Sequence, residues 1–114
     1  MKPDFIIDEH SQGATLTFYI RRDEFILDPM ECDNIKQAKA SITAIREAAK
    51  AKRYFIVDDC KGNFYIEMRD ADGNVIATSH SYTSRYNAQK GIEALEIYIP
   101  MARAHKVTVE ELDV

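Results

Sequence analysis

The chain has little of what several large function classes require. Glycine occurs four times in 114 residues and the four are dispersed, so no glycine run is present that could wrap a phosphate. Cysteine occurs twice, as Cys32 and Cys60, in segments of different expected roles and not as a Cys-x-x-Cys pair. Two reduced thiols are therefore expected rather than a disulfide. The three histidines, His10, His80 and His105, never fall at ligand spacing on one expected element, and neither a metal nor a cofactor is expected. No apolar run approaches the roughly 20 residues of a membrane helix, and the opening Met1 to Asp4 leads into no apolar segment of a signal peptide. Excess positive charge is lacking too: 15 Lys and Arg stand against 19 Asp and Glu, for a formal net charge of -4. That gives no whole-molecule attraction to phosphate backbones or anionic lipid. A soluble cytoplasmic protein is expected, with membrane and nucleic-acid partners disfavoured.

What is present is a core and a pattern that repeats. With 46% hydrophobic residues, 114 residues suffice to bury one core, so residues 1–114 are read as a single domain. Phe5-Ile6-Ile7-Asp8 lies over Phe55-Ile56-Val57-Asp58, and the same spacing of about fifty places Ile26 over Ile76, Ala38 over Ala88, Ile42 over Ile92 and Ala44 over Ala94. The spacing slips only where turns differ in length, at His10 to Thr15 and at Arg22-Asp23-Glu24 against Asp70 to Asn74. A tandem duplication is the expectation, with a diverged repeat in 1–52 and a second in 53–114; chance likeness of two short segments is the rival.

Each half changes its hydrophobic period once. Leu16, Phe18 and Ile20 alternate with Thr15, Thr17, Tyr19 and Arg21, and Phe64, Ile66 and Met68 with Tyr65, Glu67 and Arg69; period two predicts strands with one apolar face. Phe25 to Leu27 and Val75 to Thr78 are the expected hairpin partners. Pro29 ends the first, and Asp72-Gly73 turns into the second. Helices follow. Asp33 is the expected N-cap of one carrying Ile35, Ala38, Ile42, Ile45 and Ala49 on a stripe, and Ser84 caps one carrying Ala88, Ile92 and Leu95 that ends near Pro100. Gly91 inside the second helix costs roughly 0.8 to 1.0 kcal/mol against alanine, so a close approach, by Tyr82 or the opposite helix, is expected there. Lys106 to Glu110 reads as a last short strand and Leu112 to Val114 as a frayed end.

The unit Gly62-Asn63-Phe64-Tyr65-Ile66, Asp72-Gly73, Ile76-Ala77-Thr78-Ser79, Tyr82-Thr83-Ser84-Arg85 and Gly91-Ile92 resembles the YegP-like family of small bacterial domains of unknown function. The first half matches poorly, with Cys32, Asn34 and Ser41 where the second has Tyr82, Ser84 and Gly91. The resemblance implies β-β-β-α-β units in tandem or as a dimer, with C-terminal strands exchanged so that both halves share one sheet. Arg53 to Asp59 would then close the first copy and open the second. The fold expectation is an α+β domain of two such repeats sharing one largely antiparallel sheet, with two helices packed on one face. The resemblance brings no activity.

Residues that could carry chemistry have simpler readings. Asp70 to Asn74 lacks the downstream ligands of a calcium loop and reads as a turn. Asp58 and Asp59 are adjacent on a strand and point to opposite faces, so they read as strand-end solvation. Ser79, Ser81 and Ser84 near His80 have no glycine-flanked elbow. The polar sheet face remains, where Tyr19, Arg21, Tyr65 and Arg69 could anchor a partner. Cross-strand Tyr and Arg pairs also simply stabilise a solvated sheet. The functional expectation is a small non-catalytic binding module whose partner is a protein in the first instance. The alternatives are a nucleic-acid accessory protein using the open sheet, or a small enzyme whose site forms between the halves from His80, Tyr82 or Asp59. Two fused copies could satisfy the sheet within one chain, so a monomer is the expectation, with a homodimer paired through an open edge strand as the alternative.

Overall fold

A computed structural model describes residues 3–21 and 24–108, the last three as backbone. The order of elements is β1 (Asp4–His10), β2 (Gly13–Arg21), β3 (Glu24–Phe25), β4 (Met30–Cys32), α1 (Ile35–Lys50), β5 (Tyr54–Asp58), β6 (Phe64–Arg69), β7 (Val75–Thr78), α2 (Arg85–Tyr98), a 3-10 turn (Ile99–Met101) and β8 (Arg103–Thr108).

The strands form two sheets, not the single shared sheet expected from the resemblance. The first runs β3-β2-β1-β8, with β4 also on β2; the second runs β5-β6-β7. The C-terminal strand does cross over, since β8 lies parallel to β1 with Asp4 opposite Arg103 and Glu9 opposite Thr108. The segment after α1 does not take two roles: β5 pairs with β6 alone. Where the halves meet, β3 is two residues long and Pro29 follows closely, so no ladder can extend across. Instead a single bridge joins Leu27 and Ser79, flanked by the Asp28 N–H donating to Thr78 O (2.8 Å) and the His80 N–H to Ile26 O (3.1 Å).

The strand faces follow the alternation. Phe5 and Ile7 of β1, Leu16, Phe18 and Ile20 of β2, and Ile66, Met68 and Ala77 of the second sheet join Ala38, Ile42, Ile45 and Ala48 of α1 and Ala88, Ile92 and Leu95 of α2 in one core. Full burial of a Leu, Ile, Phe or Met side chain stabilises by roughly 1.5–3 kcal/mol. Helix α1 packs on β1 and β2 and on β6 and β7, while α2 packs on β5 and β6; the first helix thus ties the two sheets to one interior. Thr17, expected on the polar face, is only 4% exposed. It sits in the central strand of its sheet opposite Ile6, where larger neighbours cover a short side chain.

Helix starts are set by side-chain caps. Asn34, not Asp33, caps α1: its backbone is extended and its Oδ1 accepts the Gln37 N–H at 2.8 Å. Gln37 Oε1 in turn accepts the N–H of Asp33, the residue before the cap. Ser84 caps α2 through the Asn87 N–H, 3.0 Å. In the turn before β7, Asp70 Oδ1 accepts the N–H groups of Asp72 and Asn74, both at 2.9 Å, and Gly73 takes φ 87°. These bonds hold the Asp70 carboxyl below its ordinary range. Of the expected last strand, Lys106 to Thr108 lie in β8, whereas Val109 to Val114 lie outside the described residues.

Candidate interaction face

The outward side of β6 carries Tyr65, Glu67 and Arg69, because Ile66 and Met68 are buried inward. Across the ladder stand Val57 opposite Tyr65 and Phe55 opposite Glu67 on β5, and Val75 opposite Arg69 past a bulge on β7. Arg69 Nε and Nη2 donate to Glu67 Oε1 at 3.0 and 2.8 Å, and the guanidinium lies 4.1 Å from the Phe55 ring centroid. Such a cation on an aromatic face contributes about 0.5–1 kcal/mol at an exposed site. The Tyr65 hydroxyl donates to Glu67 Oε2 at 3.4 Å. Phe55 keeps 39% and Val75 50% of their surfaces exposed. A salt-bridged arginine is thus clamped between an aromatic ring and a carboxylate, with bare apolar surface on both flanking strands.

Tyr19 and Arg21 occupy a different sheet. Tyr19 is half-buried and meets Phe25 edge-on at 6.2 Å between centroids, and Arg21 pairs with Glu24 at 3.1 Å. The four residues expected on one face are therefore divided into two pairs, Tyr19 and Arg21 engaged with Phe25 and Glu24 of β3, and Tyr65 and Arg69 with Glu67 of their own strand. Phe55 and Val75 were missed because alternation in β5 and β7 is blurred: hydrophobic residues occupy both faces of these short strands, and only their edge and bulge positions leave two of them exposed.

The residues that could have formed a site between the halves have other duties. The His80 and Tyr82 rings meet at a 42° tilt, 4.6 Å between centroids, and His80 Nδ1 lies 3.2 Å from Ser81 O. Asp59 Oδ1 accepts the Lys61 and Asn63 N–H groups at 2.8 and 3.1 Å, while Asp58 Oδ1 accepts the Cys60 N–H at 2.8 Å; the pair builds the turn into β6. Ser79, 5% exposed, accepts the Ile66 N–H on its hydroxyl and donates to His80 O, both at 2.8 Å. The serine hydroxyl thus completes the backbone bonding where β6 meets the end of β7. Tyr82 lies against Gly91: a Cβ added there would meet Tyr82 Cζ at 2.9 Å and Ile66 Cδ1 at 3.0 Å, which is the close approach expected of the loop tyrosine.

Among the described residues, concavities lie elsewhere. One of about 560 Å³ runs between the end of α1 and the 3-10 turn, with Arg46, Lys50 and Lys52 facing Glu47 and Glu96, so its charge is mixed. Arg46 is tied down there, donating to Ala102 O at 3.1 Å. Beside Glu96, burial and then that carboxylate push the Tyr54 hydroxyl up to about 12. The second concavity, about 320 Å³, is lined by His10, Gln12, Glu31, Cys32 and Asp33; His10 Nε2 is 3.2 Å from Thr15 Oγ1 and 3.5 Å from Glu31. Among the described residues no group of three or more His, Cys, Asp or Glu is placed to hold a metal ion, and no helix is long and apolar enough to cross a membrane. Cys32 is buried and Cys60 exposed, both as free thiols; burial raises the Cys32 pKa.

This architecture, two helices over two small sheets, defines a class of mixed α+β domain that recurs among solved structures. The solution structure of a protein of unknown function, yegP from E. coli, has a TM-score of 0.79 at 19% identity, covering 95% of each chain. That of the UPF0339 protein SO3888 from Shewanella oneidensis has a TM-score of 0.80 at 18% identity, covering 96% of this chain and 95% of that one. A family model, Domain of unknown function (DUF1508), matches residues 59–102, which take in β6, β7 and α2. No curated protein matches the chain.

Proposed function

We propose that the chain is a small non-catalytic interaction module whose partner, a protein, docks on the outward face of the second sheet around Tyr65 and Arg69. The observation that carries this is the Arg69 guanidinium held over the half-exposed Phe55 ring, with Val75 bare beside it. A rigid aromatic and an arginine already fixed in place cost little entropy to engage, which is why such groups dominate protein interfaces. Tyr19 and Arg21 form a second, separate patch that extends the contact only to a partner long enough to reach the other sheet. Protein is favoured over nucleic acid because Glu67 already neutralises Arg69 and the chain carries a net charge of -4. The enzyme reading draws no support from His80, Tyr82 and Asp59, which are engaged with each other's ring, a glycine and a turn. The common spacing of fifty between the caps Asn34 and Ser84 supports, in addition, an origin of the module by duplication.

The test is a pull-down comparing the wild-type chain with Tyr65→Ala plus Arg69→Ala. Loss of the captured protein, with an unchanged circular dichroism spectrum, is the expected outcome. Undiminished capture by the folded double variant refutes this face. If nucleic acid is retained instead, its affinity should fall steeply with salt.

A further inference from the structure

We propose that the free edge of β5 pairs antiparallel with β5 of a second copy of this chain, about a two-fold axis through Ile56. The ladder to β6 fixes which backbone groups are free. Arg69 N–H donates to Arg53 O at 3.2 Å and Asp59 N–H to Asn63 O at 3.0 Å, with Phe55 opposite Glu67 and Val57 opposite Tyr65 between them. Hydrogen-bonding direction alternates along an antiparallel strand, so the N–H and C=O groups of Tyr54, Ile56 and Asp58 face away from β6. Among the described residues no strand pairs with that side.

The contrast with β1 is direct. Phe5-Ile6-Ile7-Asp8 has the same residue pattern as Phe55-Ile56-Val57-Asp58, yet β1 is paired on both edges, by β2 and by β8. A β-prone edge left open is a template for another chain. The sequence of β5 suits itself as that chain. Centred on Ile56, the antiparallel register sets Arg53 opposite Asp59 of the second copy, Tyr54 opposite Asp58, and the exposed Phe55 opposite Val57. All the outward-facing groups of Tyr54, Ile56 and Asp58 then fall at hydrogen-bonded positions, each closing on the other copy, and opposite charges meet at both ends of the strand. The closed contact is isologous, as a two-fold dimer requires, and joins two three-stranded sheets into one of six. Its hydrogen bonds run from the edge and not from the face around Arg69, although Phe55 borders both.

The experiment measures association and amide exchange on the full chain from micromolar to millimolar concentration. Sedimentation equilibrium should show one chain passing to two. Over the same range the amides of Tyr54, Ile56 and Asp58 should pass from fast to slow exchange, while those of Phe55 and Val57 stay protected throughout. Ile56→Pro deletes the donor on the axis from each copy and leaves the β6 ladder intact; it should weaken the dimer about tenfold or more. A monomer at all concentrations overturns the proposal, as does a dimer indifferent to Ile56→Pro. Slow exchange of the three amides in the monomer, or their protection only by an added extended peptide, overturns it too.

Discussion

Tyr54 shows how much one side chain is constrained by its surroundings. Its hydroxyl is buried and has no hydrogen-bond partner, and a buried hydroxyl without a partner costs about 1–3 kcal/mol. Tyr54→Phe should therefore stabilise the protein by about 1 kcal/mol, read as a higher midpoint in denaturant. The same burial dictates a pH dependence. The folded pKa, about 12, exceeds the ordinary value of 10.0, so the unfolded chain loses its proton first. The stabilisation is complete below pH 10 and is lost as pH rises towards 12. The phenylalanine variant should show a shallower alkaline decline. Some slope remains, because burial raises the Tyr82 hydroxyl as well.

At the scale of elements, α2 is held to the segment before it by a contact that only glycine allows. Gly91→Ala would gain helix propensity of roughly 0.8–1.0 kcal/mol, but the new methyl enters the Tyr82 ring. The ring is itself backed by the tilted ring of His80, and overpacking of this kind costs roughly 1–3 kcal/mol. A net destabilisation is expected, partly relieved by Tyr82→Phe, and a double-mutant cycle in denaturant measures the coupling. This contact was legible in the sequence because a glycine within a strong helical pattern calls for a reason, and a tyrosine stood nearby in the chain. The cap of α1 was legible only to within one residue: Asp33 and Asn34 both carry a short side-chain acceptor, and it is Asn34 whose extended backbone and Oδ1 meet the Gln37 N–H. The burial of Thr17 was not legible, since alternation assigns a face and says nothing of what the neighbours cover.

Across the whole molecule, the last described strand belongs to the first sheet. Because β8 lies on β1 and α1 contacts both sheets, neither half has a complete interior by itself. Thermal unfolding should therefore be one transition, with equal calorimetric and van't Hoff enthalpies; two separable transitions would mean that the halves are autonomous. The proposed face and the proposed edge both lie on the second sheet, whose smaller number of strands leaves a side and a margin uncovered.

Local chemistry written in the chain determined both helices and the longer strands, the turn at Gly73, the cap at Ser84, the glycine packed on Tyr82 and most of the inward set of hydrophobic residues, because each depends on neighbours within a few positions; the strand β4 after Pro29, where only the end of a strand over Phe25 to Leu27 was expected, was not among them. The number of sheets, the partner of β8, the separation of Tyr19 and Arg21 from Tyr65 and Arg69, and the exposure of Phe55 were decided only by tertiary structure. A strand's side-chain period says which face is apolar, but its backbone edges are identical in every residue, so which strand they meet is settled by the packing of the entire core.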